Sequence, residues 1–171
     1  GVGPVVVEHP PAAALYCAAL ASPMLHLLDL RPFVIDLSGE TSRGKTTSLS
    51  LAASVYGSPE EGAGVVATWD STGVGHERLS EVLNDLPMFR DETKRSRHAR
   101  GQAEAVYRHA GGTGRVRGKP GGLRDTPTWR NVLISTGEAP ATSATEDAGT
   151  RGRVLCLTEP PFGDTDQAHL V

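Results

Sequence analysis

One stretch constrains this chain more than any other: Phe33-Val34-Ile35-Asp36-Leu37-Ser38-Gly39-Glu40-Thr41-Ser42-Arg43-Gly44-Lys45-Thr46-Thr47. An apolar, β-branched run meets Gly-x-x-x-x-Gly-Lys-Thr and passes into a helical segment, which is the strand, loop and helix order of a phosphate-binding P-loop (Walker A). Gly39 and Gly44 let the backbone turn with no Cβ in the way. The N–H groups from Gly39 through Glu40, Thr41, Ser42 and Arg43 can then point at phosphate oxygens beside the positive end of a helix. Lys45 adds a mobile full charge, Thr46 carries the hydroxyl expected to ligate Mg²⁺, and Thr47 starts the helix body. The bland alternative is a glycine-rich turn that happens to hold Lys-Thr, and the flanking pattern argues against it. ATP with Mg²⁺ is the expected ligand.

At 171 residues and 18.0 kDa the chain is one domain's worth and can bury a core. It begins Gly1-Val2-Gly3 and stops soon after a strand-like run, so a segment of a longer protein is expected. Residues 1–31 read as a helical lead-in, with a helix over 12–28 broken near Pro23. Strands are expected over 32–37, 64–69, 131–138 and 154–158, with a further short apolar run ending at Asp91-Glu92. Helices are expected over 46–56, 76–83 and 100–110, and a basic glycine-rich loop over 111–123. Five strands alternating with helices from a P-loop onward imply a parallel α/β sandwich with its ligand at the carboxyl ends of the strands.

A nucleotide hydrolase needs a carboxylate on the strand beside the P-loop to hold Mg²⁺ through water, and a second to polarise the attacking water. Asp91 takes the first role and Glu92 the second, with Asp85 in reserve; the plain alternative is a solvated turn. Pro87 and Arg90 sit awkwardly in what should be a buried strand. Ser135 or Thr136, at the end of the next strand, can sense the γ-phosphate or its attacking water, or simply cap the strand. Arg153, or failing it Arg151, can reach a neighbouring subunit's γ-phosphate in an oligomer; otherwise each is a surface arginine.

The net charge of -3 hides an asymmetry, since ten of the 17 basic residues fall between Lys94 and Arg130 against only Glu104 and Asp125. One positive face is expected, with Arg115, Arg117 and Lys119 among glycines suited to phosphate contact with nucleic acid. No aromatic residue lies in that loop. The apolar stretch 11–30 is broken by Ser22-Pro23, His26 and Asp29, which disfavours a membrane span. Cys17 and Cys156 sit among apolar neighbours without metal or redox spacing, which reads as buried free thiols in a reducing cytoplasm. The six histidines form no ligand motif.

With these pieces placed, the sequence resembles the domain-of-unknown-function 927 family, P-loop ATPase domains of helicase-like and primase-helicase-like proteins of mobile elements. The resemblance lies in the Ala-rich helix before Pro32, Leu37-Ser38-Gly39 with the P-loop, Ala52-Ala53-Ser54-Val55-Tyr56-Gly57, and Thr68-Trp69-Asp70-Ser71-Thr72. It continues in Asn84-Asp85-Leu86-Pro87 with Asp91-Glu92, Trp129-Arg130, and Ser135-Thr136-Gly137-Glu138. Arg90 departs from it, because the family looks aliphatic just before its Asp-Glu. The resemblance implies a three-layer P-loop NTPase sandwich, RecA/AAA+-like, with a mainly parallel five-stranded sheet in the order 5-1-4-3-2. It also implies work on nucleic acid.

The leading expectation is therefore the ATPase core of a DNA helicase or translocase, working on single-stranded DNA as a homo-oligomer such as a hexamer. A nucleotide-dependent switch or scaffold without unwinding activity is the rival. A metabolite kinase ranks last, since it would keep a substrate lid and lack the Asp-Glu pair.

Overall fold

The computed structural model of the chain describes residues 2–40, 43–60, 64–91, 99–143, 149 and 152–163. In chain order the elements are α1 (Val2–Glu8), α2 (Pro10–Ala21), α3 (Met24–Leu27), β1 (Phe33–Ser38), α4 (Lys45–Ala53), β2 (Val66–Thr68) and α5 (Gly73–Leu83). There follow β3 (Met88–Asp91), α6 (Ala99–Gly111), a two-stranded hairpin of β4 (Gly118–Lys119) and β5 (Gly122–Leu123), then β6 (Val132–Gly137) and β7 (Val154–Leu157). The main sheet runs β2-β3-β6-β1-β7 with every pairing parallel. Counting its five strands alone and reading from the β7 edge, this is 5-1-4-3-2; the inserted hairpin only shifts the labels.

Alternation along the strands sends side chains to two different layers. Ile35, Leu37, Phe89, Val132 and Ile134 pack under α2 and α4 with Leu15, Ala19, Leu49, Ala52 and Ala53, all buried. Complete burial of a Leu or Ile side chain contributes about 1.5–3 kcal/mol, and the small alanines let both helices approach the sheet closely. The other face takes Val34, Met88 and Leu133 against Val106 and Ala110 of α6. It also holds a polar row in register, because Asp36 lies beside Ser135 and Ser135 beside Arg90.

Three expectations need correction. Pro87 does not interrupt a strand, since β3 begins after it. Arg90 is nearly fully buried, and its guanidinium Nη1 donates to the Thr68 carbonyl 2.6 Å away, so the neighbouring strand supplies the polar partner that an aliphatic residue would not need. Cys17 is exposed, not buried, and Cys156 is half-buried. The reason is helical geometry: α2 faces the sheet through Ala12, Leu15, Ala18 and Ala19, and Cys17 lies about 200° around the helix from Leu15. Among the described residues no helix is long and apolar enough to cross a membrane.

Candidate active site

The P-loop joins the end of β1 to α4 at the carboxyl edge of the sheet. Gly44 is the residue before α4 and has the left-handed conformation, φ 82°, and Gly39 has φ 152°, so both turns suit glycine. Lys45 opens α4, and its Nζ donates to the carbonyls of Gly39 at 2.8 Å and Glu40 at 2.5 Å, arching back over the loop. Arg43 pairs with Glu40 at 3.1 Å. Thr46 is exposed in the first turn and Thr47 half-buried behind it. Thr41 and Ser42 lie outside the described residues. A cavity of about 270 Å³ opens here, bounded by Ser38, Gly39, Lys45 and, from the chain after β7, Thr158, Glu159 and Pro160.

Two strands away, Asp91 ends β3 and accepts a hydrogen bond from the Thr136 hydroxyl. Both residues fall on the sheet face covered by α4, beside its amino end. Alternation sends Ser135 to the other face, where its Oγ donates to Asp36 Oδ1 at 2.5 Å. The second Asp36 oxygen accepts the Ala141 N–H at 2.9 Å. Asp36 thus ties β1 to β6 and to the loop after it, a role the sequence reading missed although a carboxylate inside Val-Ile-Asp-Leu was a signal. Glu92 and Arg151 lie outside the described residues.

Asp85 is at the wrong end. It precedes β3 at the amino edge of the sheet, 3.9 Å from His26, with its carbonyl accepting from Ser22 Oγ at 2.8 Å. The Asn84-Asp85-Leu86-Pro87 motif is a structural turn: Asn84 adopts φ 43° to end α5, and Asn131 Nδ2 donates to the Leu86 carbonyl at 2.9 Å. Arg153 also sits at the amino edge, its carbonyl bonded to Val34 N–H at 3.0 Å. It is therefore at the opposite end from its own P-loop.

Lys94, Arg95 and Arg97 lie outside the described residues, and among the described ones the basic segment does not form one open positive face. Arg115 and Arg108 both donate to the same Glu104 oxygen at 2.5 Å, and Arg117 to Glu77 at 2.5 Å, with Arg108 3.6 Å from Glu77 as well. Arg130 pairs with Asp29 at 2.7 Å. Lys119 is exposed at the hairpin. Glu104 is held below the usual carboxylate range chiefly by its hydrogen bond from Arg108. Behind these pairs lie two histidines whose burial no motif announced. His76 is pushed down to about 3 by burial and by the charge of Arg90, and His109 well below its ordinary value by burial and by His76. Arg90 itself is lowered to about 10 by burial and keeps its charge.

The sequence profile described as Domain of unknown function (DUF927) matches residues 3–128, well over half of the chain. The chain belongs to the DUF927 family. A search of characterised proteins by sequence gives no match. Among solved structures the chain is similar to one titled SCCmec type IV Cch, an active helicase, with a TM-score of 0.70 and 23% identity over 95% of this chain. At that identity the likeness establishes the fold alone, a P-loop NTPase sandwich. The chain spans 30% of that protein's length.

Proposed function

We propose that this DUF927 domain is the ATP-hydrolysing motor core of a helicase or translocase of a mobile genetic element, moving on single-stranded DNA as a homo-oligomer in the cytoplasm. The observation that carries the reading is that Lys45, Thr46, Asp91 and Thr136 all lie at the carboxyl edge of a 5-1-4-3-2 sheet, in a chain whose fold is similar to part of the Cch helicase. The residues fit a triphosphate: among the described residues Ser38 Oγ is buried at the cavity wall with no hydrogen-bond partner, the amino end of α4 has no side-chain cap, and Lys45 is held by two main-chain carbonyls alone. Among the described residues no cluster of three His, Cys, Asp or Glu could hold a metal by itself. One hydroxyl and one carboxylate, Thr46 and Asp91, suit Mg²⁺ carried in on phosphate.

Bound Mg²⁺ would neutralise charge on the terminal phosphates. Lys45 exchanges its carbonyl partners for phosphate oxygens, and the amides of Gly39 to Thr47 orient the chain of phosphates. Asp91 is kept as an acceptor by Thr136, which also faces the nucleotide side. Glu92, one residue further, polarises the attacking water. Arg153, being at the far edge, would serve a neighbouring subunit's nucleotide. Arg115, Arg117 and Lys119 contact the strand's phosphates. The ion pairs that hold Arg115 and Arg117 favour one alternative, a switch or scaffold that hydrolyses ATP without moving on DNA.

ATP turnover of the full chain, measured with and without a 20-nucleotide oligothymidylate, decides between them. The motor reading expects stimulation by the oligonucleotide. Lys45→Ala should weaken ATP binding by roughly 10- to 100-fold, the loss of one charge-assisted contact. Unstimulated turnover would leave the switch; unchanged ATP affinity in Lys45→Ala would remove the nucleotide site itself.

A further inference from the structure

A second cavity, at about 720 Å³ roomier than the one at the P-loop, lies elsewhere. It lies between the start of α5 and α6, and is bounded by Trp69, His76, Glu77, Arg108, Arg115 and Arg117, with Glu104 at its rim. Charge in the lining is balanced, not positive, because Asp70, Glu77 and Glu104 stand against Arg108, Arg115 and Arg117. Arg115 and Arg117 belong to an arm whose two sides run antiparallel: Gly114 N–H bonds the Pro127 carbonyl at 2.8 Å, Arg124 N–H bonds the Arg117 carbonyl at 2.8 Å, and the hairpin closes the tip. The arm's base is packed tightly, since a Cβ at Gly114 would come within 2.5 Å of Pro127 Cγ. Its outer part rests on α5 and α6 through charge.

The two anchors differ. Glu77 is 2% exposed and Glu104 is 54% exposed along its side chain, so the first pair is shielded from water and the second is not. An exposed pair is worth little, and the two non-bridging oxygens of a phosphodiester offer arginine the bidentate geometry that a carboxylate does. The cavity also provides an aromatic ring, the half-buried indole of Trp69, and the buried His76 ring, both of whose nitrogens lack a hydrogen-bond partner among the described residues. The arm's own sequence contains no such ring.

We propose that this cavity is a binding site for single-stranded nucleic acid in a self-occupied form, in which Glu104 holds Arg115 and Arg108 in place of phosphodiesters and so latches the arm against α6. A strand entering the cavity displaces Glu104 from Arg115, while the shielded Glu77 keeps Arg117 and the base of the arm fixed. The depressed protonation of Glu104 keeps its carboxylate charged under mildly acidic conditions, so the latch is set by competing anions and salt. This rests on the nucleic-acid reading above and adds to it the place, the competitor and the ring.

Glu104→Gln in the full chain tests it. Backbone hydrogen exchange over 115–124, measured without nucleic acid, should quicken, because the amide no longer holds both arginines. Affinity for the 20-nucleotide oligothymidylate should tighten about two- to five-fold, the strength of an exposed ion pair. The plot of log affinity against log salt should steepen by about 0.7, one freed phosphate contact on a single strand. Glu104→Lys, which repels the same arginines, should move both readings further. Unchanged exchange together with unchanged or weaker affinity in both variants overturns the latch. If the oligonucleotide binds neither parent nor variants, the partner named here falls along with the nucleic-acid reading, even where exchange quickens.

Discussion

The two faces of the sheet are built on different principles. Under α2 and α4 the sheet meets alanine and leucine, and the P-loop and Asp91 emerge from this layer with no charge buried beneath them except at the carboxyl edge. Under α5 and α6 it meets His76, Glu77, Ser80, His109, Arg90 and the Asp36-Ser135 bond, nearly all buried. Ser80 Oγ alone donates to the His76 carbonyl at 2.9 Å and lies 3.3 Å from His109 Nδ1. An apolar face draws its stability from area removed from water, whereas a polar one depends on each group keeping its partner. The first makes a rigid platform beneath the P-loop. The second makes a layer whose strength changes with pH and salt.

The largest effect should come from the apolar face. Leu49→Ala, at a fully buried position on α4 in the cluster that holds Leu15, Ile35, Leu37 and Ile134, should cost about 2–5 kcal/mol in urea unfolding. The effect should be nearly the same at pH 7 and pH 5.5. A cost under 1 kcal/mol would mean that α4 is not docked as described, and the contrast between faces would lose its apolar half.

The polar face should show itself in acid. His76 and His109 are neutral in the folded state because burial lowers both below the ordinary value of about 6.5, His76 to about 3. The unfolded chain therefore binds more protons than the folded one below pH 6.5. Stability is at its full value above that pH and falls as the pH drops towards 3, by about 1.4 kcal/mol per histidine for each unit. His76→Gln should remove one histidine's share of this slope between pH 6.5 and 5. A slope identical to the parent's would show that His76 already takes up its proton when folded.

How legible each face was follows from how local its causes are. Gly39, Gly44 and Lys45 act within one loop, so their pattern stands in eight consecutive residues, and the strand order came with the family resemblance. Arg90 and Asp36 were visible as charges inside apolar strands, but Asp36 meets Ser135 across 99 residues and Arg90 meets Thr68 across 22. Spacing carries no record of such partners. The same holds for the basic segment, in which a count of arginines suggested an open face while Glu104 and Glu77, 11 and 40 residues away from Arg115 and Arg117, neutralise it. Asp85 was misplaced with respect to the P-loop for a different reason. A strand has two ends, and only the direction of pairing assigns the chemistry to one of them.

The smallest effect should be at the tip of the arm, and it separates charge that binds from charge that holds. Lys119 is exposed, pairs through its backbone with Gly122, and makes no ion pair among the described residues. Lys119→Gln should therefore change stability by no more than about 0.5 kcal/mol, as at an ordinary surface position. Arg117→Gln, two residues earlier, leaves Glu77 buried with Arg108 at 3.6 Å as its remaining cation, so it should cost more. In oligothymidylate binding the lysine change should lower the salt slope by about 0.7 with no preference among sequences, because a lysine among glycines reaches phosphates and not base edges. Paired urea and salt titrations of the two variants check this. Equal destabilisation by both would mean that the hairpin tip is docked on the polar face too, and that face would then extend across the whole arm.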